Sequence, residues 1–253
     1  MPEYQRCYSW TEERLEDLWT DLKTHPEGKD HFFGTIILQE TDPSENHTPD
    51  RRFADEQRKH HIIDGQQRVT TVSILLNCML AAMEESATLL DHSPDLDDTL
   101  DDIERTWLVD EELYRLELQG GDSEFYQQYV VEDKEFREPN TPSEAKIKRA
   151  KSYFQGQFAA WRSELSADEF VDACATLRRQ IAGFELMVHY VGDDDDEKAT
   201  RIFESENDRG KALSMLERTK SFLMYMTYRA TDDGDGFRRT IQNSQSSFSN
   251  IYD

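Results

Sequence analysis

Leu15, Leu18, Trp19 and Leu22 fall on one stripe at i, i+3, i+4 and i+7, which predicts a helix running to about Lys23. Ser9 or Thr11 serves as its cap, Glu12 and Glu13 fill its first turn, and Pro26 and Gly28 stop it. Residues 31–39, β-branched and aromatic, predict a strand. Residues 41–58 are polar with mixed charge and predict a long loop. A strand near Ile62 and Ile63 then turns at Asp64-Gly65 into a helix from about Val69 to Glu85. The aspartate-rich segment 91–102 predicts a solvated linker. Leu113 to Leu118 alternate as in a strand, Gly120-Gly121 break it, and Asp122-Ser123 cap a helix carrying Phe125, Tyr126 and Tyr129.

From about Ser143 the pattern is helical. Phe154, Phe158 and Trp161 form an aromatic stripe at i, i+4, i+7, the spacing of a core face rather than of a binding platform. A second helix covers Asp168 to Leu177, and residues 181–191 predict a strand. The acidic run Asp193–Glu197 predicts a turn into a helix with Ala199, Ile202 and Phe203. That helix ends at Asn207-Asp208-Arg209-Gly210. A long helix follows from Met215 to about Arg229, with Ser214 and Glu217 at capping-box spacing. Residues 231–253 predict a flexible tail.

Candidate chemistry concentrates at Asp64-Gly65-Gln66-Gln67-Arg68. Gly65 lets the chain turn with positive φ, and the helix N-terminus beyond it favours an anion. Arg68 adds a planar, permanently charged fork suited to phosphate oxygens. The same residues also describe an ordinary strand–helix corner with solvated side chains, and one glycine is far short of a Gly-rich loop. Tyr8 and Trp10 read as packing residues before a base-stacking pair, and His60 and His61 as surface residues before metal ligands.

Composition changes this picture in two ways. The formal charge is −24, from 53 acids against 29 bases, and those bases comprise 10 Lys and 19 Arg. Acid-rich, Lys-poor usage spread along the chain points to a high-salt cytoplasm, where screening tames self-repulsion, ahead of an acidic protein that binds basic partners. Net charge is then a poor guide to nucleic-acid binding, which would survive only as local Arg clusters. The three cysteines, Cys7, Cys78 and Cys174, have no metal or redox spacing, and Cys78 lies in an apolar run. No metal site is predicted. No signal-peptide core and no run of roughly 18 apolar residues is present, so a cytoplasmic location without membrane contact is expected.

Four segments in order carry a resemblance. They are Pro2-Glu3-Tyr4-Gln5-Arg6-Cys7-Tyr8-Ser9-Trp10, His31-Phe32-Phe33-Gly34-Thr35-Ile36, Ile63-Asp64-Gly65-Gln66-Gln67-Arg68-Val69-Thr70-Thr71, and Phe203-Glu204 through Asn207-Asp208-Arg209-Gly210 to Leu213. Together, over roughly residues 1–228, they resemble the N-terminal domain of GmrSD-type restriction endonucleases, a ParB/sulfiredoxin-like family with a "DGQQR" motif. The resemblance implies an α/β (α+β) fold. It places a nucleotide-binding module over 1–120, a mainly helical extension over 121–230 and the tail at 231–253. It implies binding or hydrolysis of an NTP with Mg2+, coupled to restriction of modified or foreign DNA in phage defence. By the resemblance, Asp64 orients the metal–phosphate group or an attacking water and Arg68 contacts phosphate. Gly65 permits close backbone approach, Gln66 and Gln67 contact phosphate, and Tyr4, Gln5 and Arg6 sit beside them. Arg209 supplies a second positive group on a turn shaped by Asn207 and Asp208, although it could also simply bond carbonyls.

The chain departs from the family pattern in three places. Relatives usually carry a helix and strand ahead of the Pro2 to Arg6 element, so a truncated gene or a misassigned start is expected here. Position 7 is Cys where the family commonly has Pro. Many relatives also carry an HNH-type nuclease domain, so DNA cleavage is expected to be absent or supplied by a separate nuclease subunit. The alternative functions are a non-catalytic DNA-sensing or partner-binding subunit, or a truncated remnant.

Overall fold

A computed structural model describes residues 7–25, 31–40, 60–87, 100–110, 113–118 and 120–191. The expected loop at 41–58, the expected elements beyond residue 191, and the segments 1–6 and 26–30 lie outside them. By its internal contacts the chain divides into two units. The first is Met1–Ile36 with Gly65–Val188, and the second is Ile37–Asp64 with His189–Asp253.

The first unit is built around a helix buried along most of its length. Helix α1 spans Glu12–Thr24, with Leu15, Leu18, Trp19 and Leu22 buried as the stripe requires. Thr11 occupies its N-cap position but makes no side-chain cap bond. Strand β1, His31–Glu40, begins in this unit. Helix α2 spans Gln66–Ala87, and residues 71–80 are all buried. Residues 100–103 are helical and run into a π-helical turn, Glu104–Leu108. Strands β3, Val109–Asp110, and β4, Leu113–Tyr114, then pair as a short antiparallel ladder. Helix α3, Gly120–Phe125, continues as a second π-helical turn, Tyr126–Val131. Helix α4, Pro142–Glu164, packs along α2, and helix α5, Ala167–Ala182, packs against both.

Trp19 ties α1 into this bundle. Its ring lies 5.2 Å from Phe158, edge-on, and 4.9 Å from Trp161. Phe154 and Phe158 are fully buried and Trp161 half-buried, so the aromatic stripe is core. Two buried side chains close the carbonyl end of the second π turn. Lys151 donates to the Tyr129 carbonyl at 2.5 Å and Asn77 to that of Val131 at 3.2 Å. Helix ends leave such carbonyls without intrahelical partners, which explains a lysine and an asparagine inside an apolar core. Lys151 is also ion-paired with Asp133.

Strand β5, Phe184–Val191, completes a three-stranded sheet in the order β2-β1-β5. Within the first unit Phe33 of β1 stacks on Phe184 of β5 at 4.3 Å. In the second unit β2, His60–Asp64, pairs antiparallel with β1. Ile37 lies opposite Asp64 and Leu38 opposite Ile62, with a register shift between Ile37 and Leu38. The fold class is thus as expected, a mixed α/β module followed by a mainly helical region.

Several boundaries differ from the sequence expectation. Helix α2 starts at Gln66 rather than Val69, because the Gly65 carbonyl accepts the Val69 N–H at 3.1 Å and closes the first turn. Residues 100–103 are helical where a linker is expected. Only Leu113–Tyr114 of the 113–118 segment is paired, although Leu116 is buried. Helix α3 begins at Gly120, so Asp122 lies inside the first turn and does not cap it. Helix α5 runs to Ala182, which moves the start of β5 from 181 to 184.

Candidate functional site

Gly65 joins β2 to α2 with φ +93°, a conformation L side chains rarely adopt. It is also buried against β1. A Cβ at Gly65 would lie 2.9 Å from Ile36 Cγ1 and 3.2 Å from the Thr35 carbonyl oxygen. The turn is therefore specified twice, by dihedral and by space. Asp64, half-buried, is the last residue of β2 and directly precedes it.

The first turn of α2 holds Gln66, Gln67 and Arg68 and carries no acid. Helices α1, α4 and α5 all have acids in that position. Arg68 reaches back to β1, where Nη2 donates to the Thr35 carbonyl. Its guanidinium lies over Gly34, itself at φ +110°, and a Cβ there would sit 3.0 Å from Nη1 and 3.1 Å from Cζ. Gly34 thus provides the bare backbone that Arg68 rests on. The outcome is a fixed positive fork beside the positive end of a helix dipole, an arrangement that favours an oxyanion.

Gln67 points elsewhere. Its Oε1 accepts from the Ser9 N–H at 2.7 Å and from Ser9 Oγ at 3.3 Å, and its Nε2 donates to the Cys7 carbonyl at 3.1 Å. Between those contacts Tyr8 is buried, with only 5% of its surface exposed, so it packs and offers no face for stacking a base. Thr71 Oγ1 donates to the Gln67 carbonyl at 2.7 Å. That commits its one proton, so the Tyr8 hydroxyl, 2.9 Å away, is the donor to Thr71. Burial pushes the Tyr8 phenol up, which keeps it protonated for that role.

The other end of Tyr8 meets the start of α4, where its N–H donates to Ser143 Oγ at 3.0 Å. Thr141 caps α4 through Glu144 N–H, with Glu144 bonding back in a full capping box and Pro142 at the first turn. Glu144 is itself buried. It takes both arms of Arg137, at 2.8 and 2.6 Å, and the Asn140 N–H at 2.5 Å. The Arg137 guanidinium holds its carboxyl below the ordinary value. Burial instead raises Asp122, which accepts from Thr141 Oγ1 at 3.2 Å.

Of the residues expected in the site, Gly65, Gln66, Gln67 and Arg68 share one turn, with Asp64 next in sequence. Tyr4, Gln5, Arg6, Asn207, Asp208 and Arg209 lie outside the described residues. His60 and His61 are half-buried in β2. Among the described residues no group of three His, Cys, Asp or Glu side chains is placed to hold a metal ion. No helix among them is long and apolar enough to cross a membrane. Sequence assigns Ser143 no site role and marks Gly34, Thr35 and Thr71 only as members of the family-like segments, although the Gly34-Thr35 step inside an otherwise β-branched and aromatic strand is a signal of close backbone approach.

No curated protein matches the chain. Residues 1–224 match the family described as GmrSD restriction endonuclease, N-terminal domain, and that span takes in the Gly65 turn, its Gly34 floor and the helices behind them. By that match the chain belongs to the GmrSD restriction endonuclease N-terminal domain family.

Proposed function

We propose that this domain binds a nucleoside triphosphate at the Gly65–Arg68 turn and couples it to restriction of modified or foreign DNA. Family membership over residues 1–224 supports the restriction role. The observation that carries the nucleotide is the Arg68 guanidinium held across Gly34, next to an acid-free first helical turn.

The residues present fit a triphosphate. Gly65 allows the positive-φ turn that opens the helix, and Arg68 offers a permanent charge with planar donors. In this reading the backbone of the turn, with Gln66, takes phosphate oxygens and Arg68 balances their charge. Asp64 would offer a carboxylate to a Mg2+ ion brought in with the nucleotide. The bound nucleotide supplies the free energy of its phosphoanhydride bond.

The test is equilibrium binding and turnover of Mg-ATP and Mg-GTP by the full chain, with Arg68→Ala and Asp64→Ala. Arg68→Ala is expected to weaken binding at least tenfold, since charge-assisted bonds contribute about 1.5–3 kcal/mol each. Asp64→Ala is expected to lose turnover more than binding. Wild type and both variants behaving alike would rule out the site. DNA binding without NTP turnover would assign the alternative, a sensing or partner-binding subunit.

A further inference from the structure

Gln67 lies in the turn but turns its amide away from it, toward residues 7–9. We infer that Gln67 and Tyr8 form a latch that clamps this N-terminal strap onto α2, and that Tyr8 is thereby a positioning residue for the Gly65–Arg68 turn. The positioning role rests on the nucleotide reading above; the latch itself does not.

The geometry makes the case in three steps. First, the Gln67 amide uses both ends on the strap. It accepts the Ser9 N–H at 2.7 Å and donates to the Cys7 carbonyl at 3.1 Å. These are the backbone groups of residues i and i+2, the pair a neighbouring strand would engage. Only an amide satisfies both, because a carboxylate has no proton to give the carbonyl. Second, the residue between them is anchored at both of its ends. The Tyr8 hydroxyl bonds Thr71, one helical turn beyond Gln67, and Thr71 in turn bonds the Gln67 carbonyl. Strap, Tyr8, Thr71 and Gln67 therefore close a ring of hydrogen bonds on one face of the α2 N-terminus. Third, the Tyr8 N–H is held by Ser143 at the cap of α4. The strap consequently fixes the first turn of α2 relative to the first turn of α4. Arg68 follows Gln67 directly, so freedom in the Gln67 backbone becomes freedom in the guanidinium that Thr35 and Gly34 locate.

The full chain as Tyr8→Phe and as Gln67→Glu tests this, with two readouts. Tyr8→Phe keeps the packed ring and removes one proton donor. Gln67→Glu keeps the shape and sets a carboxylate against the Cys7 carbonyl. Hydrogen exchange without nucleotide should rise in residues 65–72 in both variants, with α5 unchanged. Affinity for Mg-ATP or Mg-GTP should fall roughly three- to tenfold, the loss expected for one buried hydrogen bond. In the Tyr8→Phe/Gln67→Glu double variant the losses should be less than additive, since both break one ring.

Unchanged exchange at 65–72 would overturn the latch whatever the nucleotide result. Raised exchange with unaltered nucleotide affinity would overturn the positioning role. Wild-type protein binding neither nucleotide would overturn the positioning role through the functional reading, while exchange still decides the latch. A uniform rise in exchange across α2, α4 and α5 would show general destabilisation and count against a local role.

Discussion

Gly34 and Gly65 both sit at positive φ and both face the other side of the β1–α2 junction, yet alanine should act differently at each. The dihedral strain is shared, about 1–3 kcal/mol for a non-glycine residue held in such a region. The neighbours are not. At Gly65 the new Cβ meets Ile36 Cγ1 at 2.9 Å and the Thr35 backbone oxygen at 3.2 Å, and a strand backbone cannot step aside. Overpacking adds about 1–3 kcal/mol, for a total of about 2–6 kcal/mol. At Gly34 the nearest atoms to the new Cβ belong to the far end of Arg68, 3.0 Å away at Nη1, and that side chain can shift at less cost than a strand backbone. Gly34→Ala should therefore lose about 1–3 kcal/mol of stability and also the Arg68 placement.

Thermal unfolding followed by circular dichroism reads the difference, at about 2–4 °C of melting temperature per kcal/mol for a chain of this size. Introducing Gly34→Ala into an Arg68→Ala background isolates the steric part. The coupling between positions 34 and 68 should fall in the range of about 0.5–3 kcal/mol, and that between 65 and 68 should be smaller. Gly65→Ala matching Gly34→Ala in cost, or a vanishing 34–68 coupling, would refute the account of the junction.

Four further outcomes follow from the chemistry of single groups. Replacing Arg68 by Lys keeps the charge but not the planar fork, so nucleotide affinity measured by calorimetry should stay well below wild type. Glu144 titrates below its ordinary 4.5, so its contribution to stability is present above that value and lost as pH falls through the folded value. Glu144→Gln should accordingly show a shallower loss of stability on acidification in urea melts taken between about pH 6 and pH 3. Asp122 titrates above its ordinary 3.8, so its contribution is present below that value and lost as pH rises through the folded one. The stability of Asp122→Asn relative to wild type should therefore improve from acid to neutral pH. Burial pushes Cys78 and Cys174 up to about 12, whereas Cys7 is exposed. Thiol reagent should label Cys7 alone in the native protein and all three after unfolding.

What sequence discloses here depends on whether the cause is local. The α1 stripe needs only a 3.6-residue period, and Leu15, Leu18, Trp19 and Leu22 are all buried as it requires. The same holds for Phe154 and Phe158 on α4. The start of α2 escapes this logic because Gln66, Gln67 and Arg68 give no apolar anchor, and a carbonyl at Gly65 sets the boundary. The start of α3 escapes it because Gly120-Gly121 reads as a breaker although the chain stays helical there. The exposure of residues 185–190 on both faces of β5, with Met187 and Tyr190 more than half exposed, is likewise hidden in a run that sequence reads only as a strand. The Asp64–Arg68 turn is legible, since a glycine between a strand and a helix has one obvious use. Its partners are not. Thr35 is 33 residues from Arg68 and Ser9 is 58 from Gln67, so only the folded chain pairs them.

The strap also sets a rule for which residues positions 7 to 9 accept. Position 7 contributes only its carbonyl to Gln67, and proline keeps a carbonyl. Positions 8 and 9 contribute N–H groups, to Ser143 and Gln67, and proline has none. Cysteine and proline are thus interchangeable at the first position as far as these bonds go, while proline is barred from the next two. Cys7 leaves the anchoring intact and puts an exposed thiol on the strap.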